Sequence, residues 1–465
     1  MTQTPQTAKG DKPITIISEP KVQARRKKRL RRQKVTSNGT IAAAVMVFAA
    51  LVAVAVANTP AYEGIHHFLM EPLSVGVGPF MGTLSIEAFV NDFLMAIFFL
   101  LVGIELKYEM TVGELKNPRQ AALPMLAAVG GVVVPALIYV GLNLGGPGIG
   151  GWAIPMATDI AFALGVMSLL GDRVAPATKV FFSTLAIADD IIAIVVIALF
   201  YGQAPSIPWL AATLACVLVL ALLNRSRIFR VRYYVLVGLA LWFCMFNSGI
   251  HATLAGVVLA LFLPGTSTVR LTALRPWLES KSRELDRTYD DDMDVLGQHE
   301  FTRIAFGVER IMHQVTPPLQ RMEHAISVPV NFVILPIFAF VNAQVRLVGV
   351  DPMAIVADPV TLGSFFGALI GKPVGIILVT WLLVKVGFAK LPRGVDWHQV
   401  VGVGIMGGLG FTMSILIAGL AFTEPAEVLA AKCAILSCSV VAAIVGCIYM
   451  MATGKAEEPE AAEQD

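Results

Sequence analysis

Four ionisable residues stand in stretches that are otherwise almost wholly apolar: Asp159, Asp189, Asp190 and Lys372. An ionisable side chain at mid-bilayer costs about 3 kcal/mol or more, so each of them marks function by default. Asp189 and Asp190 are adjacent, and on a helix they diverge by about 100°, so they face different partners. Two carboxylates in a low-dielectric site cannot both ionise cheaply unless a positive side chain or a cation offsets them. Protons and a metal cation then compete for the same oxygens, which is the chemistry of an exchange site. A hard cation such as Na+ or Li+ takes oxygen ligands, and carboxylates, hydroxyls and carbonyls supply them. The competing reading is a structural aspartate pair, neutralised by a lysine or by the backbone.

The elements that must position these residues are membrane spans. Only 15% of the 465 residues are charged and 56% are hydrophobic, against about 25% charged in an average soluble domain. That excludes a soluble enzyme, a nucleic-acid binder and a disordered chain, and no cofactor is expected. The pattern is that of an all-α polytopic membrane protein. Runs of roughly 20 apolar residues predict twelve spans: 41–58, 88–106, 121–143, 151–170, 177–200, 207–223, 232–248, 249–264, 327–345, 361–385, 398–421 and 427–451. The seventh and eighth nearly fuse at Asn247-Ser248-Gly249, and Pro72–Phe80 reads as a short hairpin. Asp159 lies roughly 12 Å into the fourth span at 1.5 Å per residue. Asp189 and Asp190 in the fifth span and Lys372 in the tenth come to nearly the same depth, whereas Asp92 and Glu105 lie closer to the ends of the second.

Basic residues set the orientation. With a cytoplasmic N-terminus, 31 of the 35 Lys and Arg fall on the cytoplasmic side and one, Arg346, on the outer side. Lys179, Lys372 and Lys432 fall within spans. This positive-inside bias predicts an even span count and two cytoplasmic termini. The expected organisation is a basic arm (1–40), spans one to eight (41–264), a charged cytoplasmic loop (265–326), spans nine to twelve (327–451) and an acidic, disordered tail (452–465). The arm's run 25–34 reads as an anchor to anionic lipid. A cleaved signal peptide is its rival, but the following apolar run is long for one. The loop's Asp290-Asp291-Asp292 and Asp294 do not make a calcium loop, because Val295 and Phe301 stand where Gly and Glu are needed. The five cysteines lie in apolar runs without ligand spacing and read as packing residues.

Two spans look broken. The fourth carries Pro155 and Thr158-Asp159 mid-segment, and the eleventh carries Gly402, Gly404, Gly407, Gly408 and Gly410. Close helix packing is one use of such glycines; release from helical geometry is another. Irregular backbone is tolerated at membrane depth only against protein or a water-filled cavity. Half-helix ends would leave partial charges there, which Asp159 and Lys372 could offset.

These residues resemble the NhaA-type sodium/proton antiporters. The resemblance is carried by Phe98–Lys107, Gly151–Gly165, Leu185–Asp190, Ser248–Gly256, Ile370–Ile376 and Gly408–Ile415, and it runs from about residue 41 to 451 outside the 265–326 loop. It implies twelve helices with inverted repeats, the third to fifth against the tenth to twelfth, and two discontinuous helices crossing at mid-membrane. Interrupted spans in corresponding halves mark a transporter's binding site, but this family is itself an example of that rule. The resemblance implies that Asp189 and Asp190 form the Na+/Li+ and proton site. Thr158 and Asp159 would belong to the helix crossing, and Lys372 would pair with Asp189 when no cation is bound. It further implies a pH-regulated, electrogenic exchange of external protons for internal Na+ or Li+ in a bacterial inner membrane, two protons per ion, by a homodimer in contact with lipid. The implied pH-sensing positions are Glu105, Glu109, His251, Arg321, Glu323 and His324. Gln320, Ser327 and Gln344 depart from the family pattern, which predicts a shifted or less steep pH profile.

A sodium-coupled symporter of an organic anion could share this architecture, but it would need a polar substrate pocket beside the cation site. An intramembrane aspartyl protease would need its aspartates on two facing helices, with a Gly-x-Gly-Asp stretch that is absent here. The chain therefore reads as a transporter and not an enzyme.

Overall fold

The computed structural model describes residues 39–453 except 78, 79, 203, 205, 268 and 393, together with a few positions between 21 and 36. Most of the basic run 25–34 and all of 454–465 lie outside the described residues.

Among the described residues nine helices are long and apolar enough to cross a membrane. They are Gly39–Ala57, Ile86–Thr111, Ala121–Leu142, Pro176–Phe200, Ile207–Arg225, Val231–Ser248, Pro318–Asn342, Pro359–Lys385 and Pro425–Thr453. Two further spans are bent pairs, Pro147–Met156 with Ile160–Leu169 (46°) and Trp397–Gly407 with Phe411–Ala421 (41°). These are the fourth and eleventh spans, broken where the sequence predicts. That makes eleven membrane-length spans where twelve are expected. The difference is the eighth, 249–264, which is a helix only over Leu254–Phe262, about 13 Å long. Gly249 takes a left-handed φ of 85° and ends the preceding helix, so the expected first turn becomes a connection.

The hairpin expected near Pro72–Phe80 is an antiparallel pair of strands, Pro72–Val77 with Phe80–Ser85. Residues 265–326 hold two helices, Leu271–Thr288 and His299–Val315. The next helix starts at Pro318, ahead of the predicted span start at 327. Its polar first turns (Gln320, Arg321, Glu323, His324) hide that start from a hydropathy reading.

The helix that carries Asp189 and Asp190, Pro176–Phe200, is the most buried of the nine unbroken ones: 61% of its apolar stretch is buried, against 11% for Ile207–Arg225. Around it the same succession occurs twice: a long helix, a broken span and a second long helix. The first long helices of the two sets, Pro118–Leu142 and Pro359–Lys385, lie against each other and run in opposite directions. Asn143 donates to the Pro359 carbonyl at 2.9 Å, Gly371 meets Pro135, and Gly375 meets Gly130. This is the antiparallel arrangement that an inverted repeat requires.

Glycine sets how closely those two helices approach. A Cβ on Gly375 would sit 2.0 Å from the Gly130 carbonyl oxygen, and one on Gly130 would sit 2.4 Å from that of Gly375. Small residues let helix backbones touch in this way, and Lys372 lies one turn before the contact. Gly375→Ala should therefore lower stability by about 1–3 kcal/mol through overpacking, read as a lower Tm in detergent. Gly141→Ala, with nothing within 4 Å of the added Cβ, should leave Tm nearly unchanged. Equal melting of the two variants would contradict the close approach.

Candidate functional site

The two broken spans cross at their breaks. Pro147–Met156 is a 3-10 helix, Ala157–Asp159 are non-helical, and Asp159 caps Ile160–Leu169 by accepting from the Phe162 N–H at 2.9 Å. Opposite it, Gly408–Gly410 separate Trp397–Gly407 from Phe411–Ala421. Thr412 donates to Asp159 Oδ2 from its hydroxyl at 2.7 Å and from its N–H at 3.2 Å. The Asp159 N–H donates to the Leu409 carbonyl at 2.6 Å. The Thr158 hydroxyl donates to the Gly407 carbonyl at 3.1 Å, and Ser414 donates to that of Ile154 at 2.7 Å. Orphaned helix-end groups are expensive in a membrane, and here each break supplies partners for the other. Gly410 allows the approach, since a Cβ there would stand 2.7 Å from the Ala157 carbonyl oxygen.

Lys372 and Asp189 form an ion pair at 2.6 Å, with side chains 0% and 1% exposed. Lys372 follows a π-helical turn, Gly367–Gly371, and its Nζ also donates to the Met156 carbonyl at the end of the 3-10 helix. One ammonium thus meets one carboxylate and one helix end. Asp190 is as deeply buried as its neighbour. Asp189 Oδ1 and Asp190 Oδ1 have no hydrogen-bond partner among the described residues. Such buried lone pairs suit a proton or a small hard cation. Among the described residues there is no cluster of three or more His, Cys, Asp or Glu that could hold a metal.

A cavity of about 300 Å3 leads to this point. Asp190, Asp159 and Thr158 line its inner part, and Gly39 and Glu109 line it near the ends of their helices. A second cavity, of about 690 Å3, is lined by Tyr62, Asp92, His251 and Arg346. Gly39 and Tyr62 flank opposite ends of the first spanning helix, so the two cavities approach from opposite faces. They share one wall: Phe411–Ala421 gives Thr412 and Met413 to the first and Ile415 and Leu416 to the second.

The sequence of the whole membrane region matches known transporters. A family model described as Na+/H+ antiporter 1 matches residues 33–450. The chain belongs to this family. It is 43% identical over 418 residues to a Na+/H+ antiporter NhaA of Oleidesulfovibrio alaskensis, covering 90% of this chain and 93% of the relative. It is 40% identical over 423 residues to Na+/H+ antiporter NhaA 1 of Saccharophagus degradans, covering 91% of each. A Na+/H+ antiporter NhaA of Helicobacter pylori is 42% identical over 414 residues, covering 87% of this chain and 92% of the relative.

In this family member the six positions suggested for pH sensing do not form one group. Glu105, Glu109 and Glu323 line the cavity that holds Asp190. His251 stands apart: it lines the opposite cavity, and its Nε2 is 2.7 Å from the Tyr201 carbonyl oxygen. Arg321 donates to the Phe229 carbonyl at 2.9 Å and contacts His313. His324 is exposed. Sequence reasoning passed over Thr412 and Ser414, although both lie in the Gly-rich stretch that carried the resemblance. It also passed over Asn331, which lines the Asp190 cavity.

Removing one partner of a buried ion pair strands the other charge. Lys372→Ala should therefore cost about 3–5 kcal/mol of stability, measured by thermal unfolding in detergent. The double variant Lys372→Ala/Asp189→Ala should recover part of that loss. A single variant that melts like the unchanged protein would argue against the pair.

Proposed function

We propose that this chain is an electrogenic Na+/H+ antiporter, also accepting Li+, that extrudes cytoplasmic Na+ in exchange for external protons and is regulated by pH. The supporting observation is the buried pair Asp189–Asp190, of which only Asp189 is matched by a lysine. Na+ enters through the cavity lined by Glu105 and Glu323 and reaches Asp190. It draws Asp189 away from Lys372 and takes oxygen from both carboxylates, and Thr158 and Asp159 complete the polar surface. Without the cation, the Asp190 carboxyl holds one proton and the Asp189–Lys372 pair holds another. Release of both on binding one cation gives about two H+ per Na+, because a low-dielectric site does not keep several uncompensated charges. One net positive charge then moves inward per cycle.

The same reading places the protein in a bacterial inner membrane with both termini cytoplasmic, by the distribution of Lys and Arg. It assigns Glu105, Glu109 and Glu323 to pH regulation, with His251, Arg321 and His324 acting from outside that cavity. A homodimer in contact with membrane lipid is the proposed assembly.

Everted vesicles with an imposed pH gradient test the exchange. Na+ or Li+ should dissipate the gradient, and Asp190→Asn should abolish that response while the protein still inserts and purifies. Exchange at the unchanged rate in Asp190→Asn would remove Asp190 from the site. Exchange that is insensitive to an imposed membrane potential would reject the electrogenic stoichiometry.

A further inference from the structure

The cavity that reaches Asp190 contains a polar residue that the exchange mechanism above does not use. Asn331 lies on the Pro318–Asn342 helix, eight residues after Glu323, and both line this cavity. At 100° per residue, an unbroken α-helix would turn their side chains about 80° apart. The helix is interrupted at this level by a π-helical turn, Val330–Ile334. Asn331 is the second residue of that turn. Turns of this kind are uncommon and recur at functional sites. In this chain another one immediately precedes Lys372.

The Asn331 amide has no hydrogen-bond partner among the described residues. Asp190, Asp159 and Thr158 line the same cavity. Thr158 donates its hydroxyl proton to the Gly407 carbonyl and Thr412 donates its own to Asp159, so the oxygen lone pairs of both stay available. A cation shedding water in this cavity needs neutral oxygen donors as well as carboxylates. A carboxylate attracts Na+ and H+ alike, but an amide oxygen does not titrate near neutral pH.

We propose that Asn331 is a specificity-determining residue of the ion path, whose side-chain oxygen coordinates Na+ or Li+ on its way to Asp190 without entering the competition with protons. The proposal rests on the exchange function above and gives the carboxylates and the amide separate tasks. The carboxylates couple the cation to protons, and the amide sets how well the dehydrated cation is held.

The test is Na+- and Li+-dependent exchange in everted vesicles over a range of pH, for Asn331→Ala, Asn331→Ser and Asn331→Asp, with Asp190→Asn in parallel. Asn331→Ala should raise the apparent KM for Na+ about tenfold, as loss of one good interaction implies. The maximal rate and the pH dependence of KM should stay unchanged, and the Li+ and Na+ KM values should rise by different factors. Asn331→Ser, which keeps an oxygen, should recover part of the KM. Asn331→Asp should make KM rise more steeply as pH falls, because the new carboxylate competes for protons. Unchanged KM values for both ions in Asn331→Ala would overturn the proposal, and so would a lower maximal rate at unchanged KM. Normal exchange in Asp190→Asn would instead defeat the reading of the main site, so the two failures are distinguishable.

Discussion

One ammonium set beside two adjacent buried carboxylates leaves a deficit of one positive charge in a medium that does not tolerate it. Lys372 bonds to Asp189 and to the Met156 carbonyl, which exhausts most of its donors. Asp190 lines the cavity, and its Oδ1 has no partner among the described residues. The surrounding architecture holds that deficit in place. The Gly130–Gly375 contact fixes the helix that carries Lys372 against its counterpart. The crossing of the broken spans fixes Asp159 through Thr412 and its own N–H. These side chains stand on four different elements, so their relative positions depend on backbone contacts between distant parts of the chain.

The crossing also resolves an apparent contradiction. Two irregular segments at membrane depth should be unstable, since each exposes helix-end groups to a solvent that cannot bond them. Paired, they satisfy one another: a threonine hydroxyl and an aspartate N–H meet the carbonyls at the end of Trp397–Gly407, and Ser414 meets the Ile154 carbonyl in the 3-10 helix. Charged groups share in it as well: the Asp159 carboxylate accepts from Thr412 and Phe162, and Lys372 donates to the Met156 carbonyl.

Much of this was legible in the residues themselves. Charge inside an apolar run is costly enough that Asp159, Asp189, Asp190 and Lys372 could be singled out, and counting residues into each span placed them at one depth. Proline and glycine at mid-segment marked both breaks. Other features were hidden for physical reasons. That the eighth span is helical only over Leu254–Phe262 was one of them, because hydropathy does not register that Gly249 adopts a left-handed turn; the segment still runs from His251 in one cavity to the Leu261 and Leu263 carbonyls that bond Lys107 at the other face. The start of the helix at Pro318 was lost among polar residues that extend it beyond the apolar core. Asn331 carried no signal, because a single uncharged amide in an apolar run does not mark itself as the charged residues do. That His251 and Glu105 line different cavities was also hidden, because only the folding of the intervening helices decides it.

The wall shared by the two cavities has an electrical consequence. Met413 and Ile415 belong to different cavities yet lie two positions apart, about 3 Å along a helix. Where aqueous vestibules approach this closely, the membrane voltage does not fall evenly across the bilayer. It concentrates across the thin septum between them. Each elementary charge that crosses there takes up most of the roughly 2.3 kcal/mol available per 100 mV. Under the proposed electrogenic exchange, the short stretch of Phe411–Ala421 beside Asp159 is thus where the membrane potential would act on the transported charge.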